Sequence, residues 1–218
     1  MTEPNSPHDS FFKRLFSDLE VAVDFLRNYL EPALVARLDL ATLRLEKENF
    51  VSPDLRKHFS DLLFSVRLKT GVEVFVFLLM EHKSSPDNWV AFQLLRYIVQ
   101  FWEQQRAEGC EKLPLVIPIV FYHGQEPWNV SRRLGALIES AGLTEAEAYA
   151  LDFEYCLRDL SLRAAQPIKG QAKLRAGLQL MRDIFSQDLG QRLPDARVKA
   201  TRCTRICPFF AGLYVRRT

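Results

Sequence analysis

The sequence predicts an α/β domain with a mixed central sheet flanked by helices, and three observations predict it. Hydrophobic side chains make up 48% of the 218 residues, enough to bury the core of one domain. The runs "SDLLFSVRL" and "VEVFVFLLMEHK" flank "KTG" and read as a β-hairpin whose three-residue loop ends in Gly. A third run, "LPLVIPIVFYHG", is apolar on both faces, as a central strand must be.

The remaining elements follow along the chain. In "HDSFFKRLFSDLEVAVDFLRNYL" the residues Phe12, Leu15, Phe16, Leu19, Val23 and Leu26 recur at helical spacing, which predicts one amphipathic helix that Pro32 ends or resets. "LATLRLEKENFV" reads as a strand through Leu43, Leu45 and Phe50, with "SPD" after it as a turn. After the hairpin, "SSPDNWVAFQLLRYIVQFWEQQRAEG" predicts a helix with Ser85 as N-cap, Pro86 in first position, Asp87 in the first turn and Gly109 at the end. Its buried face is expected to be Trp89, Phe92, Leu95, Ile98, Val99 and Trp102, with the aromatic cluster Trp89, Phe92, Phe101 and Trp102 in the core. "AYALDFEYCL" suits a further strand and "IKGQAKLRAGLQLMRDIF" a late helix.

The hairpin register can be worked out from its loop. With Lys69, Thr70 and Gly71 in the turn, Leu68 faces Val72, Arg67 faces Glu73 as an opposite-charge pair, and Asp61 faces Leu79. Alternation then puts Asp61, Leu79, Glu81 and Lys83 on one face, with Asp61 diagonal to Glu81 at a Cβ distance of roughly 7 Å or less. Two carboxylates left unpaired there would repel, and a divalent cation between them reverses the sign of that interaction. On the next helix Gln93 and Tyr97 are four apart and share a face, with Arg96 adding a cation nearby.

Charge and composition exclude several classes. A formal net charge of +2, from 29 basic and 27 acidic residues, leaves a nucleic-acid partner to be met by a local patch rather than a global field. No apolar run approaches the roughly 20 residues needed to span a bilayer, and "MTEPNSPHDS" has no apolar leader core, so the expected location is cytoplasmic and off the membrane. Cys110 and Cys156 stand alone, and Cys203 and Cys207 lack paired zinc spacing, so reduced thiols are expected.

Asp61 followed by Glu81-His82-Lys83 at a strand end resembles the core of the PD-(D/E)XK nuclease superfamily, and Gln93-Leu-Leu-Arg-Tyr97 is similar to the Gln-x-x-x-Tyr motif of its RecB-type members. More narrowly, "PHDSFFKRLFSD", "HFSDLLFSVRLKTG", "FLLMEHKSSPD", "FQLLRYIVQFW" and "LPLVIPIVFYHG" resemble the YhgA-like, or recombination-promoting nuclease (Rpn), family over residues from about 7 to 190. The bare D…E-x-K triplet is common by chance; five ordered blocks are specific. The resemblance implies a restriction-endonuclease-like mixed central sheet and a Mg²⁺-dependent DNA endonuclease that promotes recombination or is associated with mobile elements. It implies Asp61, Glu81 and the main-chain carbonyl of His82 as ligands of Mg²⁺, with Mn²⁺ as a substitute. It further implies Lys83 as the residue that orients the attacking water, and Gln93 and Tyr97 as braces of the site or DNA contacts. Family members often carry Gln where this chain has Lys83, a departure toward the superfamily's general pattern.

Each reading has a plainer counterpart. Glu81 and Lys83 also suit a solvated strand end, Asp61 a helix or turn cap, and Gln93 and Tyr97 ordinary helix-surface and core-edge residues. His123 is expected to be structural beneath a tight Gly turn, and Glu20 to lie on a solvated face rather than to ligate metal. The alternative function is a catalytically inactive DNA-binding or assembly factor that keeps the nuclease fold; a DDE transposase does not suit acids held within one hairpin. The nuclease-like domain is expected over residues 1–193. Residues 194–218 read as an atypical basic tail, either a truncated or frameshifted end or a DNA-binding extension.

Overall fold

The computed structural model describes residues 7–46, 62–81, 85–139, 149–161 and 167–183; the side chains of residues 7, 8, 80 and 81 are outside that description. Its described elements run α1 Pro7–Phe16, α2 Leu19–Tyr29, α3 Pro32–Val35, β1 Leu38–Leu45, β2 Leu62–Leu68, β3 Glu73–Glu81, α4 Val90–Ala107, β4 Val116–Tyr122, β5 Cys156–Asp159 and α5 Ala172–Asp183. A 3₁₀ turn, Leu134–Leu137, precedes β5. The described strands form one sheet in the order β1-β2-β3-β4-β5, antiparallel for the first two pairs and parallel for the last two. This is the mixed, helix-flanked α/β sheet that the sequence predicts, and the arrangement is consistent with a restriction-endonuclease-like core.

The hairpin forms in the expected register. Arg67 faces Glu73, Leu62 faces Leu78, and Leu68 N donates to Val72 O at 2.7 Å. Gly71 sits at φ 91°, a conformation that a Cβ would strain. Strand β4 is buried at all seven positions and lies between β3 and β5, so its uninterrupted apolar run is the signature of its central place. Helix α4 crosses from β3 to β4, which is what a parallel pair requires.

Alternation along β3 divides the core into two layers. Val74, Val76 and Leu78 face α1, α2 and α5 with Phe12, Phe16, Phe25, Leu174 and Leu178. Phe75, Phe77 and Leu79 face α4 with Val90, Leu94, Tyr97 and Phe101. In the first layer the rings of Phe12, Phe16, Phe25 and Phe121 lie within 4.9 to 6.1 Å of their neighbours. Gly177 lets α5 approach α1 closely, since a Cβ there would stand 2.6 Å from Leu15 Cδ2.

Two helices differ from expectation. The predicted single N-terminal helix is two, because Asp18 leaves the helical path to cap α2, its carboxylate accepting from Glu20 N at 3.0 Å and Val21 N at 3.4 Å. Leu19, expected on the apolar face, is 40% exposed as a result. Helix α4 starts at Val90, not at Pro86. Asp87 is spent on the turn before it, where its Oδ1 accepts from Trp89 N at 2.8 Å. The buried face of α4 is also rotated. It consists of Val90, Ala91, Leu94, Tyr97, Ile98 and Phe101, while Trp89, Phe92 and Val99 are exposed and Leu95 and Trp102 are half-buried.

Pro32 does reset the chain, opening α3 at its first position. The strand expected in "LATLRLEKENFV" is β1, and that expected in "AYALDFEYCL" takes only its last two residues, Cys156 and Leu157, and continues through Arg158 and Asp159. Phe50, the "SPD" turn, Cys203, Cys207 and residues 194–218 lie outside the described residues. Cys110 and Cys156 are free thiols. No helix among the described residues is long and apolar enough to cross a membrane.

Candidate active site

Strand β3 carries the candidate site at its carboxyl end. Glu81 is its last residue and pairs in parallel register with Tyr122, which in turn pairs with Asp159, so three parallel strands end level with one another. Open α/β sheets place ligand sites at such carboxyl ends. Asp61, His82 and Lys83 lie outside the described residues, as does the side chain of Glu81. Among the described residues no cluster of three or more acids, histidines or cysteines forms a metal site.

Helix α4 runs back along β3 in matched steps. The rings of Phe75 and Phe101 stand 4.7 Å apart, and those of Phe77 and Tyr97 stand 5.1 Å apart. Four helical residues advance about 6 Å and two strand residues about 6.6 Å, so each helical turn keeps pace with one alternation. The next step pairs Leu79 with the level of Gln93, one alternation short of Glu81. Gln93 and Tyr97, read from sequence as one face of a helix, are therefore ranged along the second half of β3, Tyr97 at its middle and Gln93 one helical turn nearer its carboxyl end.

The two residues differ in environment. Tyr97 is 3% exposed and belongs to the α4 core layer, so it is more deeply packed than a core-edge residue. Gln93 is half-buried, and its Nε2 is buried without a hydrogen-bond partner. Seven residues on, Gln100 Oε1 is in the same condition. A buried amide left unpaired costs roughly 1 to 3 kcal/mol, a cost that a fold has no structural reason to carry. Arg96 is exposed on the same helix.

Other candidates resolve as structural. His123 is 1% exposed and its Nε2 meets the Met181 carbonyl, which joins the end of β4 to α5. Glu20 is exposed on α2. Asp159, level with Glu81 in the sheet, is committed to loop geometry: Oδ2 accepts from Trp128 N at 3.1 Å and Oδ1 from Ser161 N at 2.7 Å. Sequence reasoning did not single out Gln100. Its position seven after Gln93, two helical turns on, was the available signal.

Comparison with known proteins places this geometry in a family context. The family model described as "Putative transposase, YhgA-like" matches residues 6–203. Over 124 residues, 57% of this chain and 42% of the relative, the chain is 36% identical to the recombination-promoting nuclease RpnA of Escherichia coli strain K12. It is 39% identical over 127 residues, again 57% and 42%, to the inactive recombination-promoting nuclease-like protein RpnE of that strain. It is 38% identical over 120 residues, 55% and 40%, to the nuclease RpnC of that strain. The chain thus spans about two fifths of the length of these relatives. No solved structure matches.

Proposed function

The chain belongs to the YhgA-like family, and from that premise we propose that it is a metal-dependent DNA endonuclease linked to recombination, acting at the carboxyl end of β3. The observation that carries this reading is the unpartnered, buried Nε2 of Gln93, one helical turn from Tyr97 toward the carboxyl end of β3. An NH₂ donor with nothing to bind there is complementary to an anionic oxygen, whether of a carboxylate or of a phosphate.

The donor set fits a hard divalent cation. Asp61, Glu81 and the His82 carbonyl offer oxygen alone, the set appropriate to Mg²⁺ and acceptable to Mn²⁺. Such a cation supplies positive charge against the developing charge on the phosphate and acidifies water. Lys83 orients the attacking water and offsets charge on the scissile phosphate. Gln93 donates to an oxygen of the site, and Tyr97, packed against Phe77, holds α4 at the distance that keeps Gln93 there. Water adds to phosphorus, the bond to one ribose oxygen breaks, and that oxygen leaves with a proton.

Plasmid cleavage by the purified chain, with Mg²⁺ and with chelator, tests the reading. Cutting should require the metal and fall by several orders of magnitude in Glu81→Ala, a loss of about 4 kcal/mol or more of transition-state stabilisation. The metal-free variant should fold as well as its parent, because a repelling carboxylate has been removed. If Glu81→Ala unfolds the protein while its refolded fraction still cuts, Glu81 is a scaffold residue. A second reading, an inactive DNA-binding or assembly factor, is favoured by the likeness to RpnE, which matches as well as the nucleases do. DNA binding without metal-dependent cutting on any DNA would select it.

A further inference from the structure

Two large aromatic side chains stand in water beside the candidate site. Trp89 is 62% exposed and Phe92 47%, and their rings meet edge to face with centroids 6.2 Å apart. Single exposed apolar residues are ordinary, but a paired Trp and Phe leave much of the largest apolar surface unburied. The core does not use them, since α4 packs through Val90, Ala91, Leu94, Tyr97, Ile98 and Phe101.

Their position is fixed relative to Gln93. Gln93 N donates to Trp89 O at 2.9 Å, so the two are one turn apart on the same flank, and the Asp87 turn sets where Trp89 sits. Arg96 is exposed, three residues after Gln93 and four after Phe92, and so neighbours both on the helix surface. An exposed indole face buttressed at its edge by a phenyl ring, an unpaired amide and a guanidinium therefore follow one another along one side of α4.

We propose that Trp89 and Phe92 form a stacking platform for an unpaired base of DNA whose adjoining phosphate enters beside Gln93, which makes the substrate a strand with a single-stranded stretch at the cut. The proposal rests on the endonuclease reading above and names its substrate class. Every base has a π-face, so such a platform is tolerant of sequence, whereas bases inside a duplex are already stacked and offer no free face. Arg96 bears on the backbone.

Binding without metal, which prevents cutting, tests the platform on the full chain with an oligo-dT strand and a duplex of the same length. Trp89→Ala should lower affinity for oligo-dT by about tenfold or more and lower the ratio of single-strand to duplex affinity. Trp89→Phe, which keeps a ring, should retain most of both. An unchanged ratio in Trp89→Ala overturns the platform, and a parent dimer that becomes monomeric in that variant with the ratio unchanged assigns the rings to a second copy instead. Mg²⁺-dependent cutting with an unchanged ratio defeats only the platform; a Trp89-dependent ratio without any cutting defeats only the endonuclease reading.

Discussion

The two faces of the sheet treat their polar groups differently. On the face covered by α1, α2 and α5, several polar groups tie the helices together. Asp24, 7% exposed, accepts from Asn28 Nδ2 at 2.9 Å and from Gln171 N at 2.6 Å, where α5 begins. Tyr29 Oη joins the Lys169 backbone, and the Arg158 guanidinium lies 3.8 Å over the Tyr29 ring. On the face covered by α4, Gln93 and Gln100 hold buried amide atoms without partners, and the helix leaves Trp89 and Phe92 in water. The Asp24 and Tyr29 ties on the first face have no counterpart at the two amides of α4.

Substitutions can break the comparison. Phe16→Ala, at a ring with no exposure and three aromatic neighbours, should cost about 3 to 5 kcal/mol, read as a fall in the urea midpoint. A loss below 1 kcal/mol would mean that the α1 layer adds little to stability. Asp24→Ala should cost about 1 to 3 kcal/mol by stranding Gln171 N, and hydrogen exchange should show α5 opening more often. Gln93→Leu sharpens the contrast, because it removes an unpartnered amide. Stability should hold or rise by about 1 kcal/mol while metal-dependent cutting falls. A destabilised Gln93→Leu would show that the amide is structural.

The smallest effect concerns pH. Burial alone raises the Asp18 carboxyl, but the hydrogen bond and charge of Lys173, with the amides of Val21 and Glu20, outweigh it and hold the group below its usual value. The folded state thus binds the proton more weakly than the unfolded chain. Its stabilising contribution is present above the ordinary carboxylate pKa and is lost as pH falls through the lowered one. Lys173→Met should flatten the acid limb of a stability-against-pH curve, and an unaltered limb would show that the pair contributes nothing measurable.

Much of the fold was legible because local chemistry and tertiary demand agreed. Gly71 at the end of "KTG" could adopt positive φ, Arg67 and Glu73 selected the register, and a run of seven apolar residues in β4 could only be central. The placement of Gln93 and Tyr97 one turn apart on the helix that follows β3 was legible from their spacing of four and from chain order.

Tertiary structure decided the rest. Helix α4 is apolar around much of its circumference, so two faces fit a 3.6-residue period equally well, and contact of Phe75 with Phe101 and Phe77 with Tyr97 selected the one that buries Leu94 and exposes Trp89. The N-terminal break was open to local reading, since Asp18 suits either a helix surface or a cap. Packing of Phe12, Phe16 and Phe25 around Phe121 rewards the bent path. Periodicity fixes how often a helix meets a core, whereas the angle at which it does so is set by the side chains of the surface it meets.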